Sequence, residues 1–239
     1  MPDYKEFAQF FDALVGDGSS RSSRILDAIA RFRAGATSLL ELGCGTGSVL
    51  EGLVSVPELV GLDISEEMLE IAAGKVPTAT FVREDMTDFD LGSKFDVVAC
   101  VFDTVNHLAN YAAWESLFDR VQRHLKAGGL FVFDLNTIGR LDQLIAHPPW
   151  VVDFDGNTLI MDVARDGDDA SIWDIRVFES MGGGKFTLHH EAIHELGVAL
   201  DRVRTTLARD FELLLEEDDQ GNAPTDESAR AYFVYRRRV

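Results

Sequence analysis

Seven consecutive residues, Glu41-Leu42-Gly43-Cys44-Gly45-Thr46-Gly47, follow a short apolar run and open into a helical pattern. Alternate glycines let the backbone take positive φ and approach a ligand more closely than a chain bearing Cβ atoms can. Twenty residues after Gly43 stands Asp63, within the segment Gly61-Leu62-Asp63-Ile64-Ser65. A carboxylate at that place can accept hydrogen bonds from both hydroxyls of an adenosine ribose. Twenty-two residues further comes Asp85-Met86, an acid and an apolar side chain able to meet an adenine amino group and flank its ring. The competing reading is a dinucleotide loop, whose fingerprint is G-x-G-x-x-G. Here Ser48 stands where the third glycine would fall, and Glu41 precedes the loop. A carboxylate beside a pyrophosphate is unfavourable. Beside the sulfonium and amino-acid tail of S-adenosylmethionine it is tolerated or helpful.

A second group of residues could act on a substrate. His107 and Asp103 follow the fourth apolar strand, on the edge where open α/β sheets bind ligands. Either could serve as a general base; the bland alternatives are a histidine capping the helix near Asn110 and a loop-structuring aspartate. His190 and His194 share a strand face with Phe186 and Leu188, and that face is expected to look toward the substrate, with His189 pointing away. On a strand the two histidines stand about 13 Å apart, too far for one metal ion. Asp134 and Asn136, with Asp103, carry only a faint likeness to a catechol-type metal site, so no metal is expected. Cys44 and Cys100 lack the Pro-Cys context of a cytosine-methylating nucleophile, and Phe102-Asp103-Thr104-Val105 is not an adenine-N6 motif.

The elements that must position these residues alternate. Helical spacing marks Tyr4 to Val15 and Ile25 to Phe32, separated by Gly16-Asp17-Gly18-Ser19-Ser20. Strands are expected at 38–42, 59–62, 79–82, 95–102 and 130–135. Ser65 opens a helix to Lys75, and another, striped by Trp114, Leu117, Phe118, Val121 and Leu125, stops at Gly128-Gly129. Such alternation implies a parallel sheet covered on both faces. The pattern then changes to four strands at 150–154, 158–163, 170–178 and 185–196, joined by hairpin turns. A helix at 197–208 and strands at 211–215 and 231–236 follow, with 216–230 a polar loop. The expected fold is therefore α/β: a doubly wound, mostly parallel seven-stranded sheet formed by 1–149 and 197–239. Residues 150–196 form an inserted antiparallel lid that binds substrate.

ELGCGTG (41–47), GLDIS (61–65), EDM (84–86) and FDVVACVFDTVNHL (95–108) resemble the class I S-adenosylmethionine-dependent methyltransferases, and the resemblance extends over nearly the whole chain. It is nearest to small-molecule enzymes of the amino-sugar N-methyltransferase kind. The resemblance implies transfer of a methyl group to nitrogen or oxygen of a small molecule, with S-adenosylhomocysteine as product. It places Glu41, Gly43 and Gly45 under the methionine moiety, Asp63 at the ribose, Asp85 and Met86 at the adenine, and Phe102 in the pocket wall, with Cys44, Ile64 and Met68 beside them. A tyrosine-aspartate pair common in the first helix of these relatives is Phe11-Asp12 here, which leaves Tyr4 to supply a hydroxyl. The alternatives are a protein or RNA methyltransferase and a non-catalytic protein that only binds the cofactor.

Bulk composition narrows the partners. The chain has 239 residues and a formal charge of −19, a field that repels phosphate backbones, so nucleic acid is not an expected partner. The basic cluster Arg236-Arg237-Arg238 reads as a solvated strand end. Apolar runs fall short of the ~18 residues of a membrane span. The N-terminus lacks a signal-like stretch, so a cytoplasmic protein is expected. Its expected partners are a small-molecule substrate and at most a second copy of the chain, as a homodimer. Cys44 and Cys100 lie in apolar segments, which argues against a disulfide framework.

Overall fold

The computed structural model describes residues 7–16 and 18–239; Tyr4 lies outside them. The order begins with α1 (Ala8–Val15), α2 (Ser19–Phe32), β1 (Ser38–Leu42), α3 (Ser48–Glu51), β2 (Glu58–Asp63), α4 (Glu66–Lys75) and β3 (Thr80–Arg83). It continues with β4 (Phe95–Cys100), a 3-10 turn (Thr104–His107), α5 (Tyr111–His124), β5 (Leu125–Asn136) and α6 (Ile138–Ala146). Four strands follow: β6 (Trp150–Phe154), β7 (Asn157–Arg165), β8 (Ala170–Ser180) and β9 (Phe186–Leu196). The chain closes with α7 (Leu200–Leu207), β10 (Phe211–Glu217) and β11 (Arg230–Arg237).

Seven strands form one sheet in the order β10-β11-β5-β4-β1-β2-β3, and β11 runs antiparallel to both its neighbours. This is the fold expected of class I methyltransferases. The two central strands, β1 and β4, are buried at every residue, as parallel strands covered on both faces must be. On one face α5 packs Trp114, Leu117, Phe118 and Val121 against Phe131, Phe133, Phe233 and Tyr235. On the other, α2 and α3 cover Leu39, Val97, Ala99 and Val132. All parallel strands direct their carboxyl ends to one edge, where the candidate residues lie.

The inserted strands β6 to β9 form a separate antiparallel sheet in sequential order. Its inner face carries Leu159, Ile175, Val177 and Ile193, which pack with Phe7 and Phe10 at α1. Val163 and Trp173 pack instead on Leu141 and Leu144 of α6.

Four expectations need correction. Helix α5 ends at His124, not at Gly128-Gly129. The glycines lie inside β5, where pairing with β4 jumps from Phe95↔Leu125 to Val97↔Leu130, and Gly128 takes φ 69° in the resulting bulge. Helix α2 begins at Ser19, inside the segment read as a breaker. Helix α6 fills a stretch that had no assigned element. Lastly, the β9 face bearing Phe186, Leu188, His190 and His194 looks to solvent: Phe186 and Leu188 are 55% and 53% exposed. His190 and His194 meet Asp174 and Asp166 there. The inward face is the alternate one, with Ile193 and Glu195 buried and the His189 ring against Phe10. Near its hairpin the apolar residues of β9, Phe186 and Leu188, lie on the outward face, while the inward face there carries Thr187, His189 and Glu191, so alternation pointed to the wrong phase.

Candidate active site

The carboxyl end of β4 is a strained turn. Phe102 and Asp103 both have positive φ, 72° and 51°, which side chains with a Cβ seldom adopt. Asp134, fully buried at the end of β5, holds that turn. Its carboxylate accepts the Phe102 N–H at 3.1 Å and the Asp103 N–H at 2.7 Å. Arg230, at the start of β11, then bridges the acids, with Nη1 2.5 Å from Asp134 and Nη2 2.6 Å from Asp103 and 3.1 Å from Asn136 Oδ1. The Arg21 guanidinium caps the other side, 3.4 Å from the centre of the Phe102 ring.

The 3-10 turn that follows carries His107. Its buried neighbour Asn106 donates to the carbonyls of Asn136 and Leu196 and accepts the Asn136 N–H. One side chain thereby ties β4, β5 and the end of the insertion together. His107 Nδ1 lies 3.3 Å from the carbonyl oxygen of His194. A carbonyl only accepts, so Nδ1 carries the proton in that bond and Nε2 is the basic nitrogen. Burial lowers the His107 pKa despite the nearby Asp103, which keeps the ring neutral at physiological pH. Glu195 comes from β9 and is buried, its Oε2 accepting from Asn136 Nδ2 at 3.0 Å. Burial and then the adjacent Asp103 push its carboxyl well above the usual carboxylate range. One side-chain atom each from Asp103, His107 and Glu195 lies within 4.8 Å of the others.

Facing this cluster is the glycine loop. Asp63 accepts the Gly45 N–H at 2.8 Å and the Ser65 N–H at 2.9 Å, fastening the loop to the end of β2. A carboxylate offers about four lone-pair sites, so capacity for two ribose hydroxyls remains. Burial raises the Asp63 pKa against those backbone bonds. Glu41 is 2% exposed, and its Oε2 has no hydrogen-bond partner among the described residues. Burial, reinforced by Asp63, lifts its pKa well above the ordinary value. Gly43 is packed so closely that a Cβ would meet Thr104 Cγ2 at 2.3 Å, whereas a Cβ on Gly45 would meet nothing within 4 Å. The loop therefore presents a bare backbone cradle with an unpaired buried acid behind it, which suits a cationic, adenosine-bearing ligand.

A cavity of 420 Å³ joins the loop to the cluster. Glu41, Gly43, Cys44, Gly45, Asp63, Met68 and Phe102 line it, as do Asp103 and His107. Ile64, Asp85 and Met86 do not. Met86 is buried in the core with Leu42 and Leu62, and Asp85 is exposed, its carboxylate accepting from the Thr87 N–H and hydroxyl. The faint metal likeness of Asp134, Asn136 and Asp103 does not fit, because their oxygens are taken by two N–H groups and Arg230. Asp103, His107 and Glu195 have metal-ligand atom types, but Arg230 already holds Asp103. Sequence reading had not singled out Glu195, Arg230, Asn106 or Arg140, all of which bound or brace this cavity.

A sequence family described as "Methyltransferase domain" matches residues 39–129. The dTDP-3-amino-3,6-dideoxy-alpha-D-glucopyranose N,N-dimethyltransferase of Streptomyces fradiae is 34% identical over 55% of this chain. The chain spans about half that relative's length, 54%. A S-adenosylmethionine-dependent methyltransferase from Clostridium acetobutylicum ATCC 824 superposes with a TM-score of 0.87. It is 23% identical and covers 98% of each chain. The sugar N-methyltransferase KedS8 from Streptoalloteichus sp ATCC 53650 gives a TM-score of 0.83 and 26% identity, over 98% of this chain and 93% of its own. The seven-stranded order and the loop cradle are those of the class I S-adenosylmethionine-dependent methyltransferase fold, and residues 39–129 match a methyltransferase domain.

Proposed function

We propose that the enzyme methylates the nitrogen of a small amine held between the carboxyl edge of the parallel sheet and the inserted sheet, with residues 150–196 serving as its lid. One observation carries this reading. One cavity is lined both by the buried acids of the glycine loop, Glu41 and Asp63, and by Asp103, His107 and Glu195. Much of the rest of its wall is apolar, including Phe7, Phe11, Leu159, Met161, Trp173 and Ile193. The volume suits a small molecule. The Streptomyces fradiae relative and KedS8 are named for amino-sugar and sugar N-methylation, so an amino sugar is the substrate class we favour.

In this reading Glu41, Gly43, Gly45, Asp63, Met68 and Phe102 hold S-adenosylmethionine, with Cys44 beside them. Bound there, the cofactor supplies an electrophilic methyl group. Asp103 attracts the substrate's ammonium and Glu195 accepts one of its N–H hydrogens, which fixes its direction, and aligning it in this way can contribute roughly 7–11 kcal/mol. Neutral His107 takes one ammonium proton at Nε2, which frees the nitrogen lone pair. The wall and the lid exclude water from the reacting nitrogen. No helix among the described residues is long and apolar enough to cross a membrane.

Titration calorimetry on protein loaded with S-adenosylhomocysteine tests the amine preference, using aminosugars and their hydroxyl counterparts in matched pairs. The amines are expected to bind at least tenfold more tightly, the smaller end of a charged hydrogen bond's contribution. Equal binding, or tighter binding of the hydroxyl partners, overturns the assignment to nitrogen.

A further inference from the structure

Two arginines line the cavity, Arg230 and Arg140. Arg230 is fully engaged by Asp103, Asp134 and Asn136. Arg140 differs: it is half-buried on α6, and its guanidinium has no hydrogen-bond or ion-pair partner among the described residues. The nearest acid along its own helix, Asp142, is bound by Arg165. Arg140 also stands in the first turn of α6, whose N-cap Thr137 accepts the Arg140 N–H. The helix dipole already makes that end positive, so an uncompensated cation there is unfavourable.

The helix that presents Arg140 is held from both sides. Gly139 leaves no room for a side chain, since a Cβ would lie 2.7 Å from Glu227 Cα, and its N–H donates to Asp226. Leu141 and Leu144 are buried against Val163 and Trp173 of the insertion. Leu144, one turn after Arg140, lines the cavity with it. A second donor lies within the same packing: the buried Trp173 indole N–H has no acceptor among the described residues. A partly desolvated guanidinium and an indole N–H without acceptors mark a place for an oxyanion.

We propose that Arg140, with Trp173, binds an oxyanion of the substrate, a phosphate or a carboxylate, while its amine meets Asp103 in the same cavity. This rests on the cavity being the substrate site. It adds that the substrate carries an anionic group as well as its amine, so that Arg140 sets specificity without taking part in proton transfer.

The test uses full-length protein loaded with S-adenosylhomocysteine and titrated with inorganic pyrophosphate, with succinate, and with methylamine. Wild-type protein is expected to bind pyrophosphate or succinate, and the tighter of the two names the anion. Arg140→Gln is expected to weaken that binding about 10- to 100-fold and Arg140→Lys to retain part of it. S-adenosylhomocysteine affinity, methylamine affinity and melting temperature should stay as in wild type. Anion affinities equal in wild type and Arg140→Gln, or no anion binding by wild type, overturn the proposal. Methylamine binding weakened about tenfold in Glu195→Gln but kept in Arg140→Gln upholds the amine reading independently. If Arg140→Gln unfolds, equal anion binding by wild type and Trp173→Phe together with unchanged binding in Arg140→Lys overturns it.

Discussion

The two ends of the parallel sheet treat buried acids in opposite ways. At the amino end, Asp96 opens β4 and is fully served. Arg33 and Lys126 each donate to it at 2.9 Å, and the Thr37 N–H and Ser38 hydroxyl at 3.1 Å. Burial works to raise its pKa, yet the Lys126, Thr37, Arg33 and Ser38 hydrogen bonds outweigh it and hold it well below the usual carboxylate range. At the carboxyl end, Glu41 has an oxygen without a partner among the described residues and Glu195 sits beside Asp103; both have raised pKa values. The signs for stability are therefore opposite. Asp96 has a depressed folded pKa, so its contribution is present above the unfolded value and is lost as pH falls. Glu41 and Glu195 have raised folded values, so their contribution is present below the ordinary 4.5 and is lost as pH rises. The lesson is that Asp96 closes the fold at one end, whereas Glu41 and Glu195 at the other have no cation hydrogen-bonded to them among the described residues.

The largest expected effect is on chemistry at the carboxyl end. His107→Ala should lower turnover by about 10²- to 10⁴-fold while S-adenosylhomocysteine affinity stays unchanged. Steady-state kinetics beside calorimetry check it, and near-wild-type turnover would leave positioning or Asp103 to do the work. In wild type the acid limb of turnover should fall at a pH below the ordinary histidine value of 6.5, because burial lowers the His107 pKa.

At the amino end, Asp96→Ala strands Arg33 and Lys126 and should cost about 3 kcal/mol of unfolding free energy in urea, with cofactor affinity intact. A stable variant that has lost cofactor affinity would break the division between the two ends. The smallest and sharpest contrast is Glu195→Gln. Amine affinity should fall about tenfold, while the melting temperature at pH 8 stays equal to wild type or rises, since a buried carboxylate that resists ionising has been replaced by a neutral isostere. A lower melting temperature would make Glu195 a structural strut.

The place of the glycine loop and Asp63 on the cavity wall was legible in the sequence because it depends on local backbone freedom and on a strand end, both written in short spacings. The position of His107 and Asp103 on that wall was legible for the same reason. Asp85 and Met86 stand where the family pattern puts them, yet a core position for Met86 and an Asx turn at Asp85 depend on packing that spacing does not encode. Glu195 was missed because the apolar residues near the β9 hairpin, Phe186 and Leu188, lie on the outward face, so they suggested the wrong phase and hid the inward acid. Arg230 and Arg140 were missed for a different reason. Each reaches the cavity only through contacts distant in sequence: β11 lying antiparallel on β5, and α6 clamped between the insertion and the 226–227 loop. The bulge at Gly128-Gly129 shows the limit of glycine as punctuation, since there it bends a strand instead of ending a helix.

Transfer of a labelled methyl group tests the central claim most directly. The enzyme would be incubated with methyl-labelled S-adenosylmethionine and matched amine and hydroxyl sugars, and the products analysed by mass spectrometry. The account predicts label on nitrogen, with transfer reduced in His107→Ala and Glu195→Gln. Label on oxygen, or transfer to amines that is indifferent to both substitutions, would contradict it.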